Sequence, residues 1–244
     1  MSKILTRASS FIPYLPMDVL EVPEPPKDSF FYQVFNTNLE TAKKVVNTSY
    51  LQKMKVGALS PDNYGCLTVL DSYYCYRAAD TLKSLICKID RNTEEELYTI
   101  TKSMMTGYDS YNKTFLADWH IRESDSVTPT ETMRNYSEHE QIVMCYEEPI
   151  YTLVAYIPCY YLWPWFSQQI QNDSGYQPGV YKDWFEGNYD GTDASFNSAW
   201  KIGVFIEEWI KAGKPFDKSK ATEIYTKSMQ YELQVFTEAD RKSE

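Results

Sequence analysis

From Asp28 to Arg241 the apolar residues recur at spacings of three and four, and no stretch alternates apolar with polar residues between turn dipeptides. A chain so patterned can bury its apolar residues only by laying helix on helix. The fold class expected is therefore all-α, a multihelical bundle of roughly eight helices. With 244 residues, 43% of them hydrophobic, one core can be filled without splitting. The division expected is a proline-rich arm over residues 1–28 and a single helical domain over 29–244.

Punctuation residues mark the helices. Asp28 or Ser29 can cap a helix carrying Phe31, Val34 and Phe35. An amphipathic run covers Asn38 to Met54. Ser60 and Pro61 suit an N-cap and a first helical position, opening a helix to about Ile89 with Leu67, Leu70, Tyr74, Ala78 and Leu82 on one face. Thr93 is expected to cap the next helix, with Glu96 as its capping-box partner and an end near Ile121. Thr128-Pro129-Thr130 opens another. Glu148 to Gln171 is strongly apolar, but Pro158 and Pro164 should kink or restart the helix around Cys159. Residues 172–180 read as a loop, followed by helices near 181–189, 195–212 and 217–241. In the arm, five prolines forbid a long helix, and Phe11, Ile12, Tyr14 and Leu15 favour packing on the body.

The formal charge of -10 argues against nucleic-acid backbones and anionic membrane surfaces as partners. No window approaches the roughly 18 consecutive apolar residues of a membrane span. The opening MSKILTRASSFIPYLPM, broken by Pro13 and Pro16, does not read as a secretion signal. The five cysteines form no CxxC pair, which suits reduced thiols and a cytoplasmic location. Of the two histidines, His120 ends a helix and His139 lies between Glu138 and Glu140. Neither has a Glu three residues before it, so both read as surface or supporting residues, and no metal is expected. P-loop, GxGxxG and GxSxG patterns are missing, so no cofactor is expected either.

Four stretches hold polar residues inside aromatic helices. Asp71 and Tyr74 share a helical face beside Leu70 and Ala78. Spacing alone leaves Asp71 either at the edge of that stripe, in water, or buried with a partner or ligand. Tyr136 to His139 form the second stretch. Cys159 lies among Tyr156, Tyr160, Tyr161 and Trp163. It is either an inert core thiol or, with Pro158 disturbing the turn before it, part of a pocket. Glu232 lies near Tyr225, Met229 and Phe236. A carboxyl buried there would hold its proton toward neutrality and could exchange it.

In order and chemistry these stretches, from about residue 30 to 240, resemble the TenA (thiaminase II) family. Its QDSYYL-like motif corresponds to Leu70-Asp71-Ser72-Tyr73-Tyr74, and its YTSH-like motif to Tyr136-Ser137-Glu138-His139. Its LPCYWLYY-like motif corresponds to Ile157-Pro158-Cys159-Tyr160-Tyr161-Leu162-Trp163. Trp184 to Tyr189 match a W-x-x-x-Y-like segment with one extra residue. Tyr231-Glu232-Leu233-Gln234-Val235-Phe236 match a YEYxFW-like one. The resemblance implies a haem-oxygenase-like helical bundle without haem. It implies hydrolysis of 4-amino-5-aminomethyl-2-methylpyrimidine to its hydroxymethyl form, with thiamin as a second substrate, in thiamin salvage. Cys159 would be the nucleophile, attacking C2 of the ring or the carbon bearing the leaving amine. Glu232 would exchange a proton with a ring nitrogen, and Asp71 would accept from the exocyclic amine. Tyr74, Tyr136, Trp163, Tyr189 and Phe236 would line the substrate site. A homo-oligomer, dimer or tetramer, is also implied. Trp163 departs from the pattern, standing where the family usually has a tyrosine. That departure motivates an alternative, a pyrimidine- or thiamin-binding protein without turnover.

Overall fold

A computed structural model describes residues 22–240. The expected packing of Phe11, Ile12, Tyr14 and Leu15 lies outside those residues. Within the described part of the arm, Pro25 is buried and Glu24 accepts a hydrogen bond from the Tyr32 hydroxyl.

The described residues form ten α-helices and three short 3-10 turns and contain no strand. The helices are α1 (Phe30–Thr37), α2 (Leu39–Val46), α3 (Ser49–Lys55), α4 (Pro61–Ile86), α5 (Glu95–Asp118), α6 (Glu131–Tyr146), α7 (Pro149–Gln171), α8 (Lys182–Asn188), α9 (Asn197–Lys211) and α10 (Lys218–Glu238). The all-α bundle expected from the periodicity is present. It has more helices than expected because the run from Asn38 to Met54 breaks at Asn47-Thr48 into α2 and α3. The Asn47 and Thr48 side chains turn back onto main-chain carbonyls of Lys43 and Val45 there, competing with the helix ladder.

Caps were legible where a short polar side chain had no rival partner. Ser29, Ser60, Thr130 and Asp217 each accept from main-chain N–H groups of the first turn they precede. The Thr93 cap is a correction: α5 begins at Glu95, with Glu94 before it and no side-chain cap. Asp90 takes over this corner. Its carbonyl accepts from the Thr93 and Glu94 N–H groups and its carboxylate from Asn92, a local turn that leaves Thr93 outside the helix. At the other end, α5 stops at Asp118, three residues before the expected Ile121. His120 adopts the left-handed conformation at φ 53°, and the Ile121 N–H closes back on Leu116.

The restart allowed for in the apolar stretch is not observed. α7 runs from Pro149 to Gln171 with Pro158 and Pro164 inside it. A proline in a helix interior removes the donor for the carbonyl four residues earlier and costs about 3 kcal/mol. Here those carbonyls belong to Val154 and Tyr160. Burial offsets the loss: every residue from Ile150 to Pro158 is buried, because α2, α6, α8, α9 and α10 pack around this helix. A helix apolar on all sides is one enclosed by others. α4 packs on α5 and α6, and α6 on α10, so α4, α5, α6, α7 and α10 surround one region. No helix among the described residues is long and apolar enough to cross a membrane.

Candidate active site

Most of the site helices contribute side chains one turn apart, the spacing that points both at one neighbour. α4 contributes Asp71, Tyr74 and Cys75, α6 Tyr136 and Glu140, α7 Cys159 and Trp163, α10 Glu232 and Phe236, and α5 Tyr108 and Tyr111. Glu232 is 3% exposed. Its Oε1 accepts from the Tyr136 hydroxyl at 2.9 Å and its Oε2 from the Trp163 indole N–H at 3.3 Å. Tyr74 donates to Glu140 at 2.7 Å, and the Tyr136 ring lies 5.1 Å from that of Tyr74. Tyr108 donates to the Cys159 sulfur at 3.4 Å. Asp71 is buried, with the Cys75 thiol 3.7 Å away, so the water-facing position left open by spacing is not the one it takes.

Three carboxyls thus lie inside the bundle, and no ion pair of the described residues includes any of them. Burial without a cation favours the protonated form. Burial raises Asp71 to about 8, helped by the charge of Glu232. Burial raises Glu232 to about 7, with Tyr136 and Trp163 holding it from rising further. Burial also drives Glu140 well above the usual carboxylate range, while Tyr74 and Tyr156 oppose the rise. Cys159 is half-buried as a residue, unlike these carboxyls. It still sits deep enough that burial, then the charge of Glu232, pushes its thiol well above the ordinary range. Near pH 7 the resting site therefore favours the protonated forms of the Cys159 thiol, Asp71 and Glu140, with Glu232 close to half-protonated.

Of the eight residues expected in the site, the structure gathers seven. Phe236 is fully buried, its ring 5.1 Å from that of Trp163, where it backs the indole that faces Glu232. Tyr189 is not joined to the group by a hydrogen bond or ring contact among the described residues. Its ring packs on Phe196 and its main chain bonds to Gln171 and Phe185. His139 is half-buried between α6 and α10, with Nε2 3.3 Å from the Ile224 carbonyl. Sequence reasoning missed Glu140 and Tyr108. Glu140 had a signal, since it falls one turn after Tyr136 and so on the same face, but the sequence presents it only as a neighbour of His139. Tyr108 had none, being one of 21 tyrosines.

A separate apolar cavity of about 260 Å³ lies between α4, α6 and α10, lined by Leu67, Leu70, Met133, Val235 and Ala239 with Cys66 and Glu238. It lies one helical turn from Asp71, Tyr136 and Glu232 along those helices, and its walls carry none of the carboxyls above.

No family model and no curated protein matches the sequence. Solved structures do match. A TenA homologue from Pyrococcus horikoshii superposes with a TM-score of 0.72 at 14% identity, covering 87% of this chain and 99% of its own. A TenA family transcription regulator from a Silicibacter species gives 0.73 at 10% identity, covering 88% and 97%. A TenA homologue from Pyrococcus furiosus gives 0.68 at 16% identity, covering 86% and 99%. The fold of this chain is therefore that of the TenA homologues.

Proposed function

We propose that the chain is a TenA-type aminopyrimidine hydrolase in thiamin salvage, with Cys159 as nucleophile and Glu232 as acid and base. The observation that carries this reading is a half-buried thiol with three buried carboxyls and several tyrosines around it, and no cation among the described residues paired to those carboxyls. Such a site is rich in acceptors. It suits a flat ring that brings amino groups and a protonated nitrogen, and it would repel an anion. A TenA-like thiaminase candidate from Sulfolobus solfataricus shares the fold, at a TM-score of 0.62 and 13% identity.

Glu232, raised to about 7, can carry a proton to a ring nitrogen at neutral pH and take it back. Protonation draws electrons from the ring and makes its carbons open to attack. Asp71 accepts from the exocyclic amine, and Tyr74, Tyr136 and Trp163 wall the ring. The thiol gives up its proton only when the substrate supplies positive charge, because the empty site favours the neutral form. Over the cycle the hydroxyl of water replaces the amine of the aminomethyl group, which leaves as ammonia. The test is direct. Incubation with 4-amino-5-aminomethyl-2-methylpyrimidine should release one ammonia per hydroxymethyl product. Release at an undiminished rate by Cys159→Ala would refute the mechanism.

The second reading, a pyrimidine- or thiamin-binding protein without turnover, rests on the Trp163 indole bound to Glu232. Tight binding with no ammonia release would favour it. We also propose a homo-oligomer, dimer or tetramer, consistent with Ile142 and Tyr146 lying exposed on α6.

A further inference from the structure

Glu140 is the buried carboxyl that the reading above leaves without a role. It is 1% exposed, its one close hydrogen bond comes from Tyr74, and it lies on α6 one turn beyond Tyr136. The Tyr156 hydroxyl, on the same helix as Cys159, faces it without a hydrogen bond of ordinary geometry to any group. When ionised it acts on Cys159, as do Asp71 and Glu232, so carboxyls from α4, α6 and α10 lie within electrostatic reach of one sulfur. An internal carboxyl faced only by the phenols of Tyr74 and Tyr156, with no cation among the described residues paired to it, is a poor structural element, since an apolar side chain of similar volume would pack there at less cost. A ligand cation would change that balance.

Asp71 and Glu232 already account for two edges of an aminopyrimidine, the exocyclic amine and the ring nitrogen. A third acceptor calls for a third donor. We propose that Glu140 binds the alkylammonium group of the substrate, making the site selective for an aminopyrimidine with a second, protonated amine over its neutral hydroxymethyl counterpart. This rests on the aminopyrimidine reading of the Cys159 site. It also separates substrate from product, because replacing the ammonium by a hydroxyl removes the charge that Glu140 would pair, and so favours release.

The test is equilibrium binding to the full chain carrying Cys159→Ala, which prevents turnover. Calorimetry at pH 7 would compare 4-amino-5-aminomethyl-2-methylpyrimidine with its hydroxymethyl counterpart. The aminomethyl compound should bind about tenfold tighter or better, as expected for a charge-assisted hydrogen bond. Adding Glu140→Gln should weaken the aminomethyl compound by about tenfold or more, and the hydroxymethyl compound by less than about threefold. A merely structural Glu140 would show itself in melting, so Glu140→Gln and Glu140→Met should both melt at or above the parent temperature. Equal affinities for the two compounds, or an equal loss on both with either variant, would overturn the role of Glu140 while leaving an aminopyrimidine site. Failure of the parent to bind either compound would overturn the functional reading, and this inference with it.

Discussion

Replacing Glu232 by Gln is expected to make the protein more stable and less active, and the stability gain should depend on pH. Burial lifts the Glu232 carboxyl from its ordinary value near 4.5 to about 7. That difference corresponds to about 3 kcal/mol of preference for the protonated form. The folded value lies above the unfolded one. The favourable contribution is therefore fully present below about pH 4.5 and is lost as the pH rises through about 7. At pH 8 the wild type carries a buried, unpaired charge that Gln removes. The amide oxygen of Gln can still accept from Trp163 and its NH2 can donate to the Tyr136 oxygen, so both contacts survive in neutral form. Allowing for poorer geometry, the gain at pH 8 should be about 1–3 kcal/mol, or roughly 3–10 °C in Tm for a chain of this length. Near pH 5 the gap should nearly close. Thermal melts of wild type and Glu232→Gln from pH 5 to 8.5 measure it, and ammonia release from the same samples should fall sharply. A variant less stable than wild type at pH 8, or a gap that does not change with pH, would refute the reasoning.

Three further outcomes are expected. Cys159→Ala should lower ammonia release by about a thousandfold or more, as for loss of a nucleophile acting in concert with its partners, while calorimetry still detects binding of the aminopyrimidine. Tyr136→Phe removes a donor that restrains the Glu232 proton affinity, so the alkaline limb of the rate profile should move to higher pH; a limb that moves down would contradict the assignment of Glu232 as the acid. Gly203→Ala should destabilise by about 1–3 kcal/mol in denaturant melts although alanine favours helix. Its added methyl would sit 2.7 Å from the Phe31 ring and 2.8 Å from Pro25.

The helical class was legible because spacing repeats over the whole chain, and α4 and α6 began where Ser60 and Thr130 said they would. Thr93 misled because Asp90 competes for the same main-chain groups, which a cap pattern does not register. That Pro158 and Pro164 do not restart the helix has a tertiary reason: a helix enclosed by five others can continue without two of its ladder bonds. At the site, i,i+3 spacing placed Asp71 with Tyr74. The resemblance to TenA brought Cys159 and Glu232 together across α7 and α10, which spacing could not do. Glu140 escaped notice because nothing in its spacing shows that α6 turns that face into the bundle until the packing of the helix is known. For Tyr189, at the end of α8, the turn that follows the helix and not helical periodicity decides where its ring lands.

The most direct test is a crystal structure of the Cys159→Ser protein bound to 4-amino-5-aminomethyl-2-methylpyrimidine. The ring is expected among Tyr74, Tyr136 and Trp163, with a ring nitrogen in hydrogen-bond reach of Glu232. A pyrimidine carbon or the carbon bearing the amine should lie within about 3.5 Å of the residue 159 oxygen. A pyrimidine seated instead in the cavity lined by Leu67, Leu70 and Met133, away from Glu232, would contradict the assignment of Cys159 and Glu232 as the reacting pair.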